Sequence, residues 1–129
     1  MTRRESRVFA MQILYRMDFE DVSASDAIKQ IFNRDELDEA GVEFALKYLN
    51  NSKKVDDTIE MALENYSLSR LNSVDRAIIR LATAEMLQGE DKRVAINEAL
   101  EITKMFSDEG NHKAVAFNNR LLDKISKEI

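Results

Sequence analysis

Not one proline interrupts this chain of 129 residues, and it contains only three glycines. Those two residue types most oppose a helix interior, so their scarcity leaves long stretches free to coil. Leu, Ala, Glu, Lys, Arg and Met fill those stretches, and Val and Thr do not cluster as strands would require. The composition predicts an all-α fold, a compact bundle of six or seven helices. A chain of this length predicts a single domain over residues 1–129 that buries roughly two-thirds of its unfolded surface.

Apolar spacing places the helices. The first is expected over about residues 2–18 and the second over 25–33, with Ser23 or Ser25 as its N-cap. A third covers 37–51, where Val42, Ala45, Leu46 and Leu49 recur at helical spacing. Ser52 caps a fourth, in which Val55, Ile59, Ala62, Leu63 and Tyr66 turn inward while Asp56, Asp57, Glu60 and Glu64 look outward. Ser73 opens the strongest helix, 74–88, with Gly89 placed for a left-handed C-terminal cap. Ile78, Ile79, Leu81, Ala82, Met86 and Leu87 cover most of its circumference, so it belongs at the centre. Arg76, Arg80 and Glu85 within it must then lie at its rim or be paired. Helices over 94–106 and 112–127 follow, separated by a loop at 107–111.

Catalytic chemistry finds few residues to work with. The chain has no cysteine and one histidine, His112, which follows a polar loop without hydrolase context. That excludes a thiolate metal site and a Cys-His nucleophile. No glycine-rich phosphate loop is present, and no acidic spacing stands out as a magnesium site. The chain reads as a non-enzyme with no cofactor. Absence of cysteine suits a reducing cytoplasm, and no run of about eighteen apolar residues offers a membrane span.

Binding is better supported. The formal net charge is -5, yet Arg3, Arg4 and Arg7 crowd the first seven residues. A basic cluster on an acidic background at a helix start suits a polyanion. At about 100° per residue, the three arginines share an arc of about 100° and Tyr15 lies along its edge. Guanidinium groups that meet phosphates beside a ring that stacks on a base would suit single-stranded RNA. A half-buried core tyrosine beside solubilising arginines is the competing reading.

Four blocks carry a resemblance. Arg3-Arg4-Glu5-Ser6-Arg7 with Ala10-Met11-Gln12-Ile13-Leu14-Tyr15 resembles the opening pattern of the NusB family of bacterial transcription antitermination factors. Val74-Asp75-Arg76-Ala77-Ile78-Ile79-Arg80-Leu81-Ala82, then Val94-Ala95-Ile96-Asn97-Glu98-Ala99-Leu100, resemble its middle helices in order. Phe117-Asn118-Asn119-Arg120-Leu121-Leu122-Asp123 is similar to the family's Phe-Val-Asn-Gly-Val-Leu-Asp. The resemblance implies two packed helical subdomains that bind the boxA sequence of ribosomal RNA transcripts. The implied partners are NusE, a ribosomal protein, as a heterodimer, and the RNA polymerase antitermination complex. Carried over by position, Arg3, Arg4, Arg7 and Tyr15 from the first helix become RNA-contact candidates, with Phe117 and Asn119 from the last and Lys113 as added charge.

Two departures bear on that site. Asn118 stands where the family has valine and Arg120 where it has glycine, and arginine there would either block close backbone approach or add a phosphate contact. Phe117, four residues before Leu121, also fits an ordinary core position. The acidic remainder, Asp75 included, suits a basic protein partner such as NusE, and homodimerisation is open when that partner is absent. Two further readings of the same fold are a protein adaptor without RNA recognition and an accessory domain related to that of ribosomal RNA cytosine methyltransferases.

Overall fold

The computed structural model describes residues 2–31, 38–64 and 66–129. Seven α-helices appear among them: α1 (Arg3–Glu20), α2 (Ala24–Ile31), α3 (Glu39–Leu49), α4 (Ser52–Ala62), α5 (Ser73–Leu87), α6 (Lys92–Phe106) and α7 (Lys113–Lys127). A 3-10 turn, Leu68–Arg70, leads into α5. The expected end of the second helix at Asn33 and start of the third at Leu37 fall outside the described residues.

Local chemistry explains the ends. Thr2 and Glu5 form a capping box at α1, with the Glu5 N–H donating to Thr2 Oγ1 at 3.1 Å. The helix continues two residues past the expected Asp18 and closes where Asp21 turns left-handed at φ 53°. Ser23 Oγ accepts from the Asp26 N–H and so caps α2, as its position predicts. Gly89 has φ +92°, its N–H donates to the Met86 carbonyl, and the Glu90 N–H donates to the Glu85 carbonyl. Those two bonds make a Schellman cap, a geometry that glycine adopts without strain.

The fourth helix is shorter than its apolar spacing predicts. It stops at Ala62, Leu63 is extended, and Tyr66 lies beyond it. The Glu60 carboxylate accepts from the Leu68 N–H at 3.1 Å and so ties the chain after the helix back onto it. Asp56 is another correction to the outward-facing set. It accepts from Arg80 Nε at 3.0 Å and from the Tyr48 hydroxyl, so it joins α3, α4 and α5. Burial pushes the Tyr48 hydroxyl well above its ordinary pKa, and it stays a donor.

α5 is the hub. It packs on α1 and α3 and on α4, α6 and α7, so an α1–α3 group and an α4–α7 group share it. Ile78, Ile79, Leu81, Ala82, Ala84 and Met86 are buried along its length. The buried apolar residues of both groups form one continuous core. Arg76 closes the approach to α5: its Nη1 donates to the carbonyls of Ser69 and Leu71 at 3.2 Å, and its Nε donates to Asp18 at 2.6 Å.

Gly41 sets the spacing of α1 and α3. A Cβ there would sit 3.1 Å from both the Ser6 carbonyl and Phe9 Cβ, and 3.0 Å from Asp38 Oδ2. Two of those neighbours belong to α1 and cannot swing aside. Gly41→Ala is therefore expected to destabilise the protein by about 1–3 kcal/mol through overpacking. Chemical denaturation measures this, and an unchanged midpoint would show that the two helices part freely.

Candidate nucleic-acid interface

The three N-terminal arginines separate on folding. Arg7 is buried, with 4% of its surface exposed, and forms a two-pronged pair with Glu85 of α5. Its Nη2 donates to Oε1 at 2.8 Å and its Nε donates to the same carboxylate at 3.0 Å. The expected RNA contact from Arg7 is thus corrected, because its guanidinium is turned into the core against carboxylate and the Phe44 ring, 4.8 Å away. Glu85 takes the paired structural role expected of it. Removing one partner of such a pair leaves a buried charge, which costs about 3–5 kcal/mol, whereas an apolar pair of similar volume is often neutral. Arg7→Ala should lose about that much stability, and Arg7→Met with Glu85→Leu should recover most of it. Denaturation curves of the three proteins decide; a loss under about 1 kcal/mol for Arg7→Ala would place the pair outside the folded core.

Arg4 and Arg3 stay outside, near α6. Arg4 Nε donates to Glu98 Oε2 at 2.7 Å and its Nη2 to Oε1 at 3.3 Å. The Arg4 hydrogen bond holds the Glu98 carboxyl below the usual carboxylate range. Arg3 lies 3.6 Å from Glu90 and is 67% exposed. Since exposed pairs are worth little, either arginine can exchange its carboxylate for phosphate at low cost.

Tyr15 answers both of its sequence readings. It packs against the core with part of its surface free, and its ring stacks on Phe19 at 5.4 Å with 14° between planes. Phe19 is 67% exposed. The sequence reading missed Phe19, although its place four residues after Tyr15 was the available signal. Clefts on either side of Tyr15 are lined by Val74 and by Phe106, which is 43% exposed. This aromatic patch offers flat faces on which bases can stack.

α7 divides its residues between inside and outside. Asn118 is fully buried and donates through Nδ2 to Asp75 Oδ1 and Thr103 Oγ1, both at 3.1 Å. Ser107 Oγ also donates to Asp75 Oδ1, at 2.7 Å, so one carboxylate ties together α5, α7 and the chain between α6 and α7. Asp75 is accordingly 7% exposed, which corrects its expected part in a partner-facing acidic surface. Arg120 is exposed, so the valine and glycine departures lie on different sides of the helix. Phe117 is half-buried and meets the Tyr66 ring at 6.2 Å in a cleft also lined by Arg120 and Lys124. Lys113 is exposed at the start of α7.

The expected composite surface is only partly assembled. Among the described residues, no hydrogen bond, ion pair or ring contact joins Phe117 to Arg3, Arg4 or Tyr15. Asn119 is exposed but stands about 160° round α7 from Phe117, so the two cannot grip one base together. His112 is the N-cap residue of α7, with φ 60°, and its Nδ1 lies 3.4 Å from Asp108. No cluster of three or more His, Cys, Asp or Glu residues that would hold a metal ion occurs among the described residues. None of the helices described is long and apolar enough to cross a membrane.

Fold and surface together define an all-helical binding protein, with exposed rings and cations at the faces of α1 and α7. The NusB family model matches residues 4–127. The transcription antitermination protein NusB of Bacillus pumilus is 36% identical over 131 aligned positions, covering 100% of this chain and 98% of the relative. That of Clostridium botulinum is 37% identical over 136 positions, covering 99% of this chain and 100% of the relative. The solved NusB of T. maritima superposes with a TM-score of 0.83 at 32% identity, over 98% of this chain and 92% of that one. A complex of the antitermination factors NusB and NusE with dsRNA has a chain that matches at 0.80 and 27% identity, over 98% of this chain and 97% of that one. The chain belongs to the NusB family.

Proposed function

We propose that this protein is a transcription antitermination factor that binds the boxA sequence of ribosomal RNA transcripts. It acts in the cytoplasm with NusE, within the RNA polymerase antitermination complex, and carries no catalytic step of its own. The full-length match to NusB antitermination proteins carries this reading. A similar NusB chain is found with NusE and dsRNA, which supports RNA and NusE as the partners. Arg3, Arg4, Tyr15, Lys113, Phe117 and Asn119 are the RNA contacts proposed for this chain, and Arg7 positions the helix that bears the first three. A homodimer is a further proposed state when NusE is absent.

The surface supports separable roles for these residues. Arg4 supplies phosphate affinity once it leaves Glu98, while Tyr15, backed by Phe19, supplies a stacking face. Arg4→Ala should weaken boxA binding and flatten the salt dependence by about 0.7 of a logarithmic unit, the share of one phosphate on a single strand. Tyr15→Ala should cost about 1–3 kcal/mol with little change in that slope. Titrations of boxA and scrambled RNA at two salt concentrations, with and without NusE, measure both terms. Equal affinity for the two RNAs when NusE is present would overturn the reading. Retention of NusE with no RNA shift would replace it with the protein-adaptor reading.

A further inference from the structure

The outer face of α7 carries a row of cations. At about 100° per residue, Lys113, Phe117, Arg120, Lys124 and Lys127 fall within an arc of about 80°. Asn118, Leu121, Leu122 and Ile125 occupy the opposite, buried side. Lys113 to Lys127 spans about 21 Å along the helix axis. This is an unusual concentration of positive charge for a protein of net charge -5.

Helix stability does not account for the row. Cations near a helix C-terminus are favourable, which covers Lys124 and Lys127. Lys113 sits at the N-terminal end, where a cation is unfavourable, and the first turn of α7 has no acidic residue to offset it. Arg120 lies midway. Among the described residues neither Lys113 nor Arg120 has an ion pair, whereas Arg3, Arg4 and Arg7 of α1 each have one. Lys124 has only a long one, 4.0 Å to Glu64, and Lys127 pairs with Asp123 of the same helix at 3.2 Å; all four side chains are more than half exposed, so these pairs exchange for phosphate at low cost.

Flat rings adjoin this charge. Tyr66 is 39% exposed and meets Phe117 at 6.2 Å with 59° between planes. The Arg70 guanidinium lies 5.2 Å from the Tyr66 ring centre, and the Tyr66 hydroxyl donates to the Arg70 carbonyl at 3.2 Å, which holds the ring in place. Phe117, Arg120 and Lys124 of α7 line an open cleft of about 220 Å³ with Ala62, Leu63, Glu64 and Tyr66. A held ring beside Arg120, which has no ion pair among the described residues, and Lys124, whose exposed pair is easily exchanged, is the combination that takes a base and its phosphate on a single strand. A basic protein would be repelled by the same row.

We propose that α7 and Tyr66 form a second RNA track, on which Arg120, Lys124 and Lys127 hold the phosphates of single-stranded nucleotides flanking the boxA element while Tyr66 stacks a base. The track rests on the RNA-binding reading above and extends it to residues which that reading does not use. Arg120, on which the track depends, stands at the position where the resemblance expects glycine.

The test compares a core boxA RNA with the same RNA lengthened by unpaired nucleotides on either side. The wild-type protein should bind the longer RNA more tightly and with a steeper salt dependence. Arg120→Ala with Lys124→Ala should abolish that difference and take about 1.4 logarithmic units off the slope for the longer RNA, the share of two single-strand phosphates. Both side chains are exposed, so thermal unfolding should be unchanged. Tyr66→Ala should reduce binding of the longer RNA at least about fivefold. Glu64→Gln, which removes the one carboxylate among the described residues of the cleft, should strengthen it. If wild type binds core boxA but gains nothing from the flanking nucleotides, or the double variant keeps the gain, the track is overturned and the boxA reading stands. If wild type binds neither RNA better than scrambled sequence, the boxA reading fails and the track with it.

Discussion

The Arg7–Glu85 pair is the constraint on which the arrangement of the molecule depends. It joins the helix that begins the chain to the central helix, inside a core that is mostly apolar. A buried ion pair contributes little net stability compared with packed hydrocarbon, but it tolerates no misalignment, because either charge alone is costly there. The register of α1 on α5 is therefore set at Arg7, and Gly41 allows α3 to close over the same stretch of α1. Arg4, one turn before Arg7, is then directed at Glu98, and Tyr15, about two turns beyond it, at the clefts beside Val74 and Phe106.

Charge is thereby partitioned between two helices. The arginines of α1, which look from the sequence like the basic end of an acidic protein, are met by Glu85, Glu90 and Glu98. Only the outer two can be released to another anion, since breaking an exposed pair costs little and breaking a buried one costs much. Lys113 and Arg120 of α7 are free of ion pairs among the described residues. An RNA would thus meet competition from carboxylates at one helix and open cations at the other. On the proposed RNA-binding reading, phosphate would have to displace an existing carboxylate partner at α1, which three free arginines would not require.

Much of the architecture is legible in the residues. The absence of proline, the placement of Gly89 and the apolar circumference of α5 lead to a helical bundle built round that helix, and packing bears this out. Paired roles for Arg80 and Glu85 follow from the cost of an isolated buried charge. Helix periodicity failed where it could not see tertiary contacts. Tyr66 continues the spacing of α4, yet the chain turns at Leu63 because Glu60 takes the Leu68 N–H. Asp56 and Asp75 look like surface acids in one dimension, and each acquires donors from distant helices. The site shows the same division. Arg7 shares an arc with Arg3 and Arg4, but only the identity of the opposing residue, a glutamate on α5, reveals that it turns inward. Asn118 and Arg120 are separable by helix geometry once the buried side of α7 is known, and the blocks of motif alone do not supply that side.

The central claim is that Arg7 belongs to the fold, so that the RNA contacts proposed for this protein fall to exposed residues of α1 and α7. The Arg7 Nε–H signal in a solution NMR spectrum tests it most directly, because that proton is buried and hydrogen-bonded to Glu85. It should be visible at neutral pH, exchange slowly with solvent, and keep its position when boxA RNA is added. A signal lost to rapid exchange in the free protein, or one displaced by RNA and insensitive to Glu85→Gln, would contradict the account.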